Sequence, residues 1–279
     1  MKVLFALLAV LAIAQAASVK QLKPLRLTKP VVNNAPPRVD FRIVGGQQAT
    51  RGQFPYQAAL DIDSSVFCGG SLISADTVLT AAHCVDGFST WAVTLGAQTL
   101  SSGAEAGRIT IQTTNSLVHE AWDPFLIEND VALLFLGAQI QTSEFIQIIR
   151  LPAASNTDLF EGAIARASGW GKSSDASSTV SDELNFVDLP VITNAECTDV
   201  YGIIFDSNIC TSGAGGLNIC SGDSGGPLVL AEADGILSLV GVTSFGSSGG
   251  CQIGLPAGFS RVTSFLPWLA TNSNADIRP

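Results

Sequence analysis

The chain has 279 residues, with 14 basic and 24 acidic side chains and a formal net charge of −10. Residues 17–42 carry six basic side chains against one acid, whereas residues 43–279 carry seven basic side chains against 23 acids. A body this acidic argues against nucleic acid and anionic membranes as partners. The length after residue 42 is enough for a large core and fits a single β domain.

Residues 1–16 are typical of a secretory signal. Lys2 supplies positive charge, residues 3–14 form a short apolar core, and Ala14-Gln15-Ala16 resembles a small-residue cleavage site. The alternative is a membrane anchor, but an apolar run of this length is too short to span a bilayer. We therefore predict a secreted, extracellular protein.

Residues 17–42 differ in character from the segments on either side. Their prolines discourage regular structure, and these are Pro24, Pro30, Pro36 and Pro37. A solvated linker would have this composition, and so would a basic propeptide. The residues directly after Arg42 favour the propeptide, because they resemble an activation junction.

The remainder predicts an all-β protein. Short apolar or alternating runs are separated by clusters of Gly, Ser, Asp and Asn, which is typical of a sandwich or barrel. The runs are Tyr56–Ile62, Val66–Ile73, Trp91–Leu95, Arg108–Gln112, Val131–Leu136, Ala163–Ala167, Pro227–Leu230, Leu237–Val242 and Phe259–Val262. Residues 262–271 predict a C-terminal helix with Pro267 in its first turn.

The stretch Gly222-Asp223-Ser224-Gly225-Gly226-Pro227 carries the clearest chemical pattern. A serine between glycines can lie on a tight turn whose backbone N–H groups converge on one point. Such a serine needs a base, and the base needs an orienting carboxylate. His83 in Thr80-Ala81-Ala82-His83-Cys84 and Asp130 at the start of an apolar run are the candidates. The structural alternatives are a glycine-rich loop, a buried histidine and a surface acid.

These motifs, in the order His, Asp, Ser, resemble the trypsin/chymotrypsin family of serine endopeptidases from Ile43 to about Asn272. The resemblance implies two six-stranded antiparallel β-barrels, roughly 43–145 and 146–262, with the site in the crevice between them. It implies that His83 is the base, that Asp130 orients it, and that the N–H groups of Gly222 and Ser224 bind the oxyanion. Residues 43–279 would form the peptidase domain.

The same resemblance assigns an activation junction. Arg42 directly precedes Ile43-Val44-Gly45-Gly46, so an activating trypsin-like protease would cut after Arg42. In the family the new amino group of Ile43 pairs with the carboxylate next to the nucleophile, which is Asp223 here. The intact chain would then be a weakly active zymogen, and residues 17–42 its propeptide.

Six cysteines in a secreted chain predict disulfides, although many pairings are possible from sequence alone. A metal site is the alternative, but no C-x-x-C or paired His spacing is present. The resemblance implies the pairs Cys68–Cys84, Cys197–Cys210 and Cys220–Cys251. We predict neither a metal nor an organic cofactor.

The resemblance also identifies the residues that would select the substrate. Ser244-Phe245-Gly246 resembles the segment that pairs with substrate backbone, and a neutral Asn218 lies at the pocket base beside Ile219. Gly246 leaves the entrance open, whereas Ile219 and Ala257 narrow the interior. We predict Leu, Phe, Met or Tyr before the cleaved bond rather than Arg or Lys, and in preference to Ala or Val.

Residues 242–259 resemble arthropod digestive proteases of the brachyurin, or collagenolytic, subgroup. The resemblance suggests digestion as the role and collagen among the substrates. Peptide substrates and protein inhibitors are the expected partners of a monomer. An elastase-like or regulatory protease, and an inactive homologue that serves as a binding module, are the alternatives. We interpret the second histidine, His119, as structural.

Overall fold

The structure is a computed structural model that describes residues 43–279 and the backbone of two short strands before them. The predicted signal 1–16 and Arg42 lie outside the described residues, as does most of the predicted propeptide. The described strands are, in chain order, β1 (Leu22–Pro24), β2 (Leu27–Thr28), β3 (Gln47–Gln48), β4 (Gln57–Ile62), β5 (Val66–Ser74), β6 (Thr77–Thr80), β7 (Trp91–Leu95), β8 (Ile109–Thr113), β9 (Ser116–Val118), β10 (Ala132–Phe135), β11 (Ile164–Gly169), β12 (Asn185–Ile192), β13 (Asn208–Thr211), β14 (Pro227–Ala231), β15 (Leu237–Ser247) and β16 (Ala257–Arg261).

The first sheet is antiparallel, in the order β8-β7-β4-β5-β6-β10-β9, and β2 adds to β5. Strands β4 to β6 are almost wholly buried because apolar side chains cover both of their faces. The barrel-like curl of the sheet packs Leu60, Leu72, Val93 and Leu133 into its interior, and all four are 0% exposed.

The second sheet runs β15-β14-β11-β12-β13-β16, and β16 pairs back onto β15. That last pairing closes a six-stranded barrel, so its strands leave no free edge along the closure. Strand β1 adds to β15 from outside, and β3 adds to β12. A second apolar cluster fills the barrel and includes Leu189, Ile209, Val240 and Phe259. The all-β, two-barrel prediction is confirmed.

The two barrels touch closely at two glycines. A Cβ on Gly69 of β5 would lie 3.0 Å from the Cα of Gly226, which directly precedes β14. Ser168 of β11 also donates a hydrogen bond of 2.6 Å to the Oε1 atom of Gln57 in β4. Since backbone can approach backbone this closely only where side chains are absent, glycine at both positions lets the barrels meet beside Ser224.

Three disulfides are present, and they are the pairs that the resemblance implies: Cys68–Cys84, Cys197–Cys210 and Cys220–Cys251. The first joins β5 to the turn that carries His83. The third joins the segment before Ser224 to the loop after β15. Closing loops of 13 to 31 residues restricts the unfolded chain, and each closure contributes on the order of 3 kcal/mol.

Two α-helices lie in the described part of the chain, and neither is long and apolar enough to cross a membrane. Helix α1 (Asn194–Tyr201) lies where the sequence patterns predicted no helix. Its start is a capping box, in which Thr193 Oγ1 accepts from the Glu196 N–H while the Glu196 carboxylate accepts from the Thr193 N–H. This helix carries Tyr201, whose ring packs edge-on against Phe245.

Helix α2 (Val262–Asn272) corrects one expectation. Pro267 is the sixth residue of the helix rather than a first-turn residue. A proline there removes one intrahelical hydrogen bond. The helix continues because packing outweighs that loss: Phe265, Leu266, Trp268 and Leu269 are all buried.

We predict that Thr193→Ala lowers the free energy of unfolding by about 1 kcal/mol, because it removes an N-cap acceptor. Thr198→Ala in the same helix is the matched control. Its hydroxyl bonds back to the Asn194 carbonyl, an arrangement that adds little to helix stability. Urea midpoints at constant slope measure both, and equal losses in the two variants would contradict the capping argument.

Candidate active site

His83 lies on a single 3-10 turn, Ala82–Cys84, that directly follows β6 and Ala81. Both alanines are 0% exposed, and Cys84 is bonded to Cys68 of β5. Because the turn is fixed at both ends, the imidazole has little backbone freedom. Its side chain is almost completely buried.

Asp130 directly precedes Val131 and β10, and it is 1% exposed. Its Oδ1 atom accepts the backbone N–H of His83 at 2.9 Å, and its Oδ2 atom lies 2.7 Å from His83 Nδ1. An ionised carboxylate can only accept, so this contact places the ring proton on Nδ1 and makes Nε2 the basic nitrogen. The predicted pairing of His83 with Asp130 is present in the structure.

Two serines support Asp130 in ways that sequence reasoning missed. Ser244 Oγ donates to Asp130 Oδ2 at 2.6 Å, and Ser260 Oγ donates to the Asp130 carbonyl at 2.8 Å. The sequence indicates Ser244 only as part of a substrate-binding segment, and it gives no sign of Ser260. No local sequence pattern predicts either contact, because both serines lie more than a hundred residues from Asp130 along the chain.

The turn around Ser224 lies against the histidine turn. Gly225 has a φ of +73°, and a Cβ there would lie 2.6 Å from the Gly69 carbonyl oxygen and 3.0 Å from the Ala81 nitrogen. The Ser224 carbonyl accepts from the Gly69 N–H at 2.7 Å, and the Gly225 N–H donates to the Thr243 carbonyl at 2.8 Å. Hydrogen bonds from both barrels therefore hold Ser224 beside the chain that leads into His83.

The hydroxyl of Ser224 is buried and makes no hydrogen bond to any described residue, so the bond to His83 expected during reaction is not formed here. Catalytic hydrogen bonds are often long in the resting protein and tighten when substrate binds. The N–H groups of Gly222 and Ser224 likewise donate no hydrogen bond to the described part of the chain.

Asp223 is a second buried carboxylate, next to the nucleophile. Its Oδ1 accepts from the Gly171 N–H and its Oδ2 from the Cys220 N–H, both at 2.8 Å. Burial raises the pKa of Asp223 to about 7, although these two hydrogen bonds act in the opposite direction. Ile43 is 0% exposed, and the Val44 carbonyl accepts from the Asn218 N–H at 3.2 Å.

The predicted specificity residues lie in three different settings. Asn218 is 5% exposed, donates to the Leu255 carbonyl at 2.9 Å and accepts from the Ile219 N–H at 3.0 Å, so backbone groups engage its amide at both ends. Ile219 and Ala257 belong to the apolar cluster of the second barrel. Phe245 and Gly246 lie in β15.

Two groups of residues have metal-like spacing in the described structure, and both include a disulfide: Cys68, His83 and Cys84, and Asp175, Cys220 and Cys251. Metals bind thiolates, so sulfur atoms already in disulfides are not ligands. His119 packs against Phe265 and Trp268, and burial lowers its pKa. These contacts fit the structural role that we assigned to it.

Comparisons with known proteins agree with this geometry. A family model described as Trypsin matches residues 43–269. Brachyurin from Leptuca pugilator is 45% identical over 231 residues, which cover 83% of this chain and 98% of that protein. Chymotrypsin from Phaedon cochleariae is 38% identical over 280 residues, covering 98% of each protein.

A collagenase from Hypoderma lineatum is 39% identical over 239 residues, which cover 83% of this chain and 87% of that protein. A solved structure of HL collagenase superposes with a TM-score of 0.75 at 39% identity, covering 84% of this chain and 100% of that one. The fold, the buried His–Asp pair and these matches together show that the chain belongs to the trypsin family of serine endopeptidases.

Proposed function

We propose that this protein is a secreted zymogen whose activated form cuts peptide bonds through Ser224, His83 and Asp130. One observation carries the proposal: the His83 Nδ1–Asp130 Oδ2 contact of 2.7 Å is buried beside the Ser224 turn. A histidine with one nitrogen held by a carboxylate presents the other as a base. The three side chain types that the reaction needs are all present, which argues against the alternative of an inactive homologue.

In the first half of the reaction, His83 Nε2 takes the proton of the Ser224 hydroxyl as the oxygen attacks the substrate carbonyl carbon. The carbonyl oxygen becomes an oxyanion, which accepts from the N–H groups of Gly222 and Ser224. Each such donor is worth on the order of 3 kcal/mol. His83 then gives its proton to the departing amine, and the C–N bond breaks to leave an acyl-enzyme.

In the second half, water replaces the amine. His83 Nε2 takes a proton from the water as its oxygen attacks the acyl carbon. It then returns a proton to Ser224 Oγ as the bond between Oγ and the acyl carbon breaks and the carboxylic acid product leaves. Asp130 stabilises the imidazolium in both halves without itself taking up the proton. The hydrogen bond from Ser244 keeps the carboxylate aimed at Nδ1.

Activation would depend on Asp223. Cleavage after Arg42 creates an ammonium group on Ile43, and a cation beside a buried carboxylate favours its ionised form. Asp223 is bonded to the Cys220 N–H, and Cys220 is two residues before Gly222. The backbone N–H of Asn218, at the pocket base, donates a hydrogen bond to the Val44 carbonyl. The new ion pair would therefore order both the oxyanion donors and the pocket base.

Specificity follows from the pocket base. The Asn218 side chain is neutral, and its amide is already engaged by Leu255 and Ile219. An incoming Arg or Lys would find no counter-charge at this position, and burying an unpaired cation is strongly unfavourable. We infer a preference for Leu, Phe, Met or Tyr. An elastase-like preference for Ala or Val is the second candidate, since Ala257 and Ile219 are bulkier than glycine.

A protease-rich setting such as a gut lumen fits the surface. Lys172 is the single lysine after residue 42. All six arginines there are held by hydrogen bonds or ion pairs to Asp, Glu or backbone carbonyls: Arg51, Arg108, Arg150, Arg166, Arg261 and Arg278. Arginines held in this way are poor cleavage sites for trypsin-like proteases in the same compartment. Collagen is among the proposed substrates, because a similar curated protein and a similar solved structure carry the name collagenase.

The principal test is burst titration with an ester that acylates serine proteases. After trypsin treatment the wild-type chain should release close to one equivalent of leaving group per molecule. Ser224→Ala should release none, and Asp130→Asn should lower kcat by about 10⁴-fold, the loss known for this mechanism. His119→Asn is the control and should keep the burst. A full burst in Ser224→Ala would overturn the proposal.

A panel of peptide substrates that differ only in the residue before the cleaved bond tests specificity. We predict that kcat/KM for Leu and Phe exceeds that for Arg by at least ~10-fold, because the pocket base offers no charge. Ala and Val should fall between them. Fastest cleavage after Arg would contradict the role of Asn218, and fastest cleavage after Ala would favour the elastase-like alternative.

Cleavage after Arg42 should also change how stability depends on pH. In the intact chain burial raises the pKa of Asp223 from 3.8 to about 7, so its contribution is complete below the unfolded value and is lost as pH rises from there to about 7. In the cleaved chain the Ile43 ammonium pairs with Asp223. That contribution is complete below about pH 8 and is lost as pH rises through the raised pKa of the amine.

The difference in Tm between the cleaved and the intact chain should therefore grow from pH 5 to about pH 7 and then level off. Differential scanning calorimetry of Ser224→Ala in both forms measures it without self-digestion. Asp223→Asn is the control, and in this variant the Tm difference between the two forms should no longer change with pH. A Tm difference that stays constant over this range would exclude the proposed ion pair.

A further inference from the structure

Two short strands before residue 43 lie on the two sides of the active site. Strand β1 runs antiparallel to β15, with Leu22 opposite Ser247, Lys23 opposite Gly246 and Pro24 opposite Phe245. Strand β2 runs antiparallel to β5, with Leu27 opposite Phe67 and Thr28 opposite Val66. Phe245 and Gly246 belong to the segment that would pair with substrate backbone.

The partners of these two strands both contact the catalytic residues. Ser244 of β15 donates to Asp130, and Gly69 of β5, two residues beyond Phe67, donates to the Ser224 carbonyl. Only residues 25 and 26, which lie outside the described residues, connect β1 to β2. Three extended Cα–Cα steps reach at most about 11 Å. The described ends of the two strands, Pro24 and Leu27, therefore lie within that distance of each other, on the strands whose partners contact the catalytic residues.

Burial gives independent support. In the intact chain Ser224 is 0% exposed and His83 is 3% exposed, and the backbone of Gly246 is also buried. A nucleophile and a base that act on an external peptide have to be reachable by that peptide. The low exposure of Ser224 and His83 therefore indicates that the active site is covered in the intact chain.

The register of β1 also indicates which hydrogen bonds it makes. Opposed residues in an antiparallel pair alternate between hydrogen-bonded and non-hydrogen-bonded pairs. Pro24 has no N–H, so its pair with Phe245 is of the second kind, and Lys23 and Gly246 form the hydrogen-bonded pair. Leu22 then directs its N–H away from β15. This is how an extended substrate would bind to an exposed strand edge.

We propose that strands β1 and β2 occupy the substrate cleft of the intact chain as a built-in, substrate-like inhibitor. The inference rests on the proposed function, because it needs the cleft to be catalytic. It adds a restraint to the zymogen that is independent of the Ile43–Asp223 pair. Charge favours the arrangement, since residues 17–42 carry net +5 and the body carries net −16.

Activation would then require the cut segment to leave. All six cysteines lie at or after Cys68, so no disulfide holds residues 17–42 after cleavage at Arg42. The released segment clears the cleft only by dissociating. Activity per enzyme molecule after cleavage should therefore rise on dilution, because the released segment rebinds less at low concentration. A full-chain variant in which residues 22–28 are replaced by a Gly/Ser segment of equal length should show the same activity per molecule at every dilution.

The decisive experiment uses synthetic peptides of residues 17–42. The unmodified peptide should compete with a small peptide substrate on the trypsin-activated enzyme, and it should bind activated Ser224→Ala, which cannot cut it. N-methylation at Lys23 removes the N–H that faces Gly246 and should weaken binding roughly 3- to 10-fold. N-methylation at Leu22 is the matched control and should leave affinity unchanged.

The outcomes separate the two proposals. An activated enzyme that turns over substrate, but is not competed by the peptide, overturns the inhibitory role and leaves the proposed function standing. Equal affinities for the two N-methylated peptides overturn the register. A wild-type enzyme without turnover refutes the proposed function, and the inhibitory role falls with it.

Discussion

A single buried carboxylate, that of Asp130, joins the two barrels at the point where the proposed chemistry occurs. It accepts from the backbone and the ring of His83, which belong to the first barrel, and from Ser244 of the second barrel. Ser260 of β16 binds the carbonyl of the same residue. A charge at 1% exposure is tolerated only where its oxygens are hydrogen-bonded. The contacts that make the burial possible are those that orient the base.

Asp223 is a second buried carboxylate, and its position explains how such a site can be switched on. Two backbone N–H groups hold it, but burial still raises its pKa to about 7. A new cation at Ile43 would place a counter-charge beside this carboxylate, next to the turn that carries Ser224. In our proposal the paired strands β1 and β2 also cover the same crevice, so the intact chain would be restrained both electrostatically and sterically.

Much of the fold and the central pair of the site could be predicted from sequence. The alternating runs located β4, β5, β7 and β8 closely, and the family motifs located His83 and Asp130. Strand β12 was missed because Asn185, Asp188 and Pro190 are rare in strands. Strand β1 was missed because Pro24 indicates irregular backbone, whereas its pairing depends on a strand more than 200 residues away. The capping box of α1 is a local signal that could have predicted that helix, whereas the serines that support Asp130 could be found only in three dimensions.

The most direct measurement of the central claim is a proton NMR spectrum of the activated protein, which has only two histidines, His83 and His119. A hydrogen bond to a buried carboxylate moves an imidazole N–H proton strongly downfield. Our account predicts one such resonance, assigned to Nδ1 of His83, which remains in Ser224→Ala and in His119→Asn and is lost in Asp130→Asn. A spectrum without this resonance, or one in which it survives Asp130→Asn, would contradict the account.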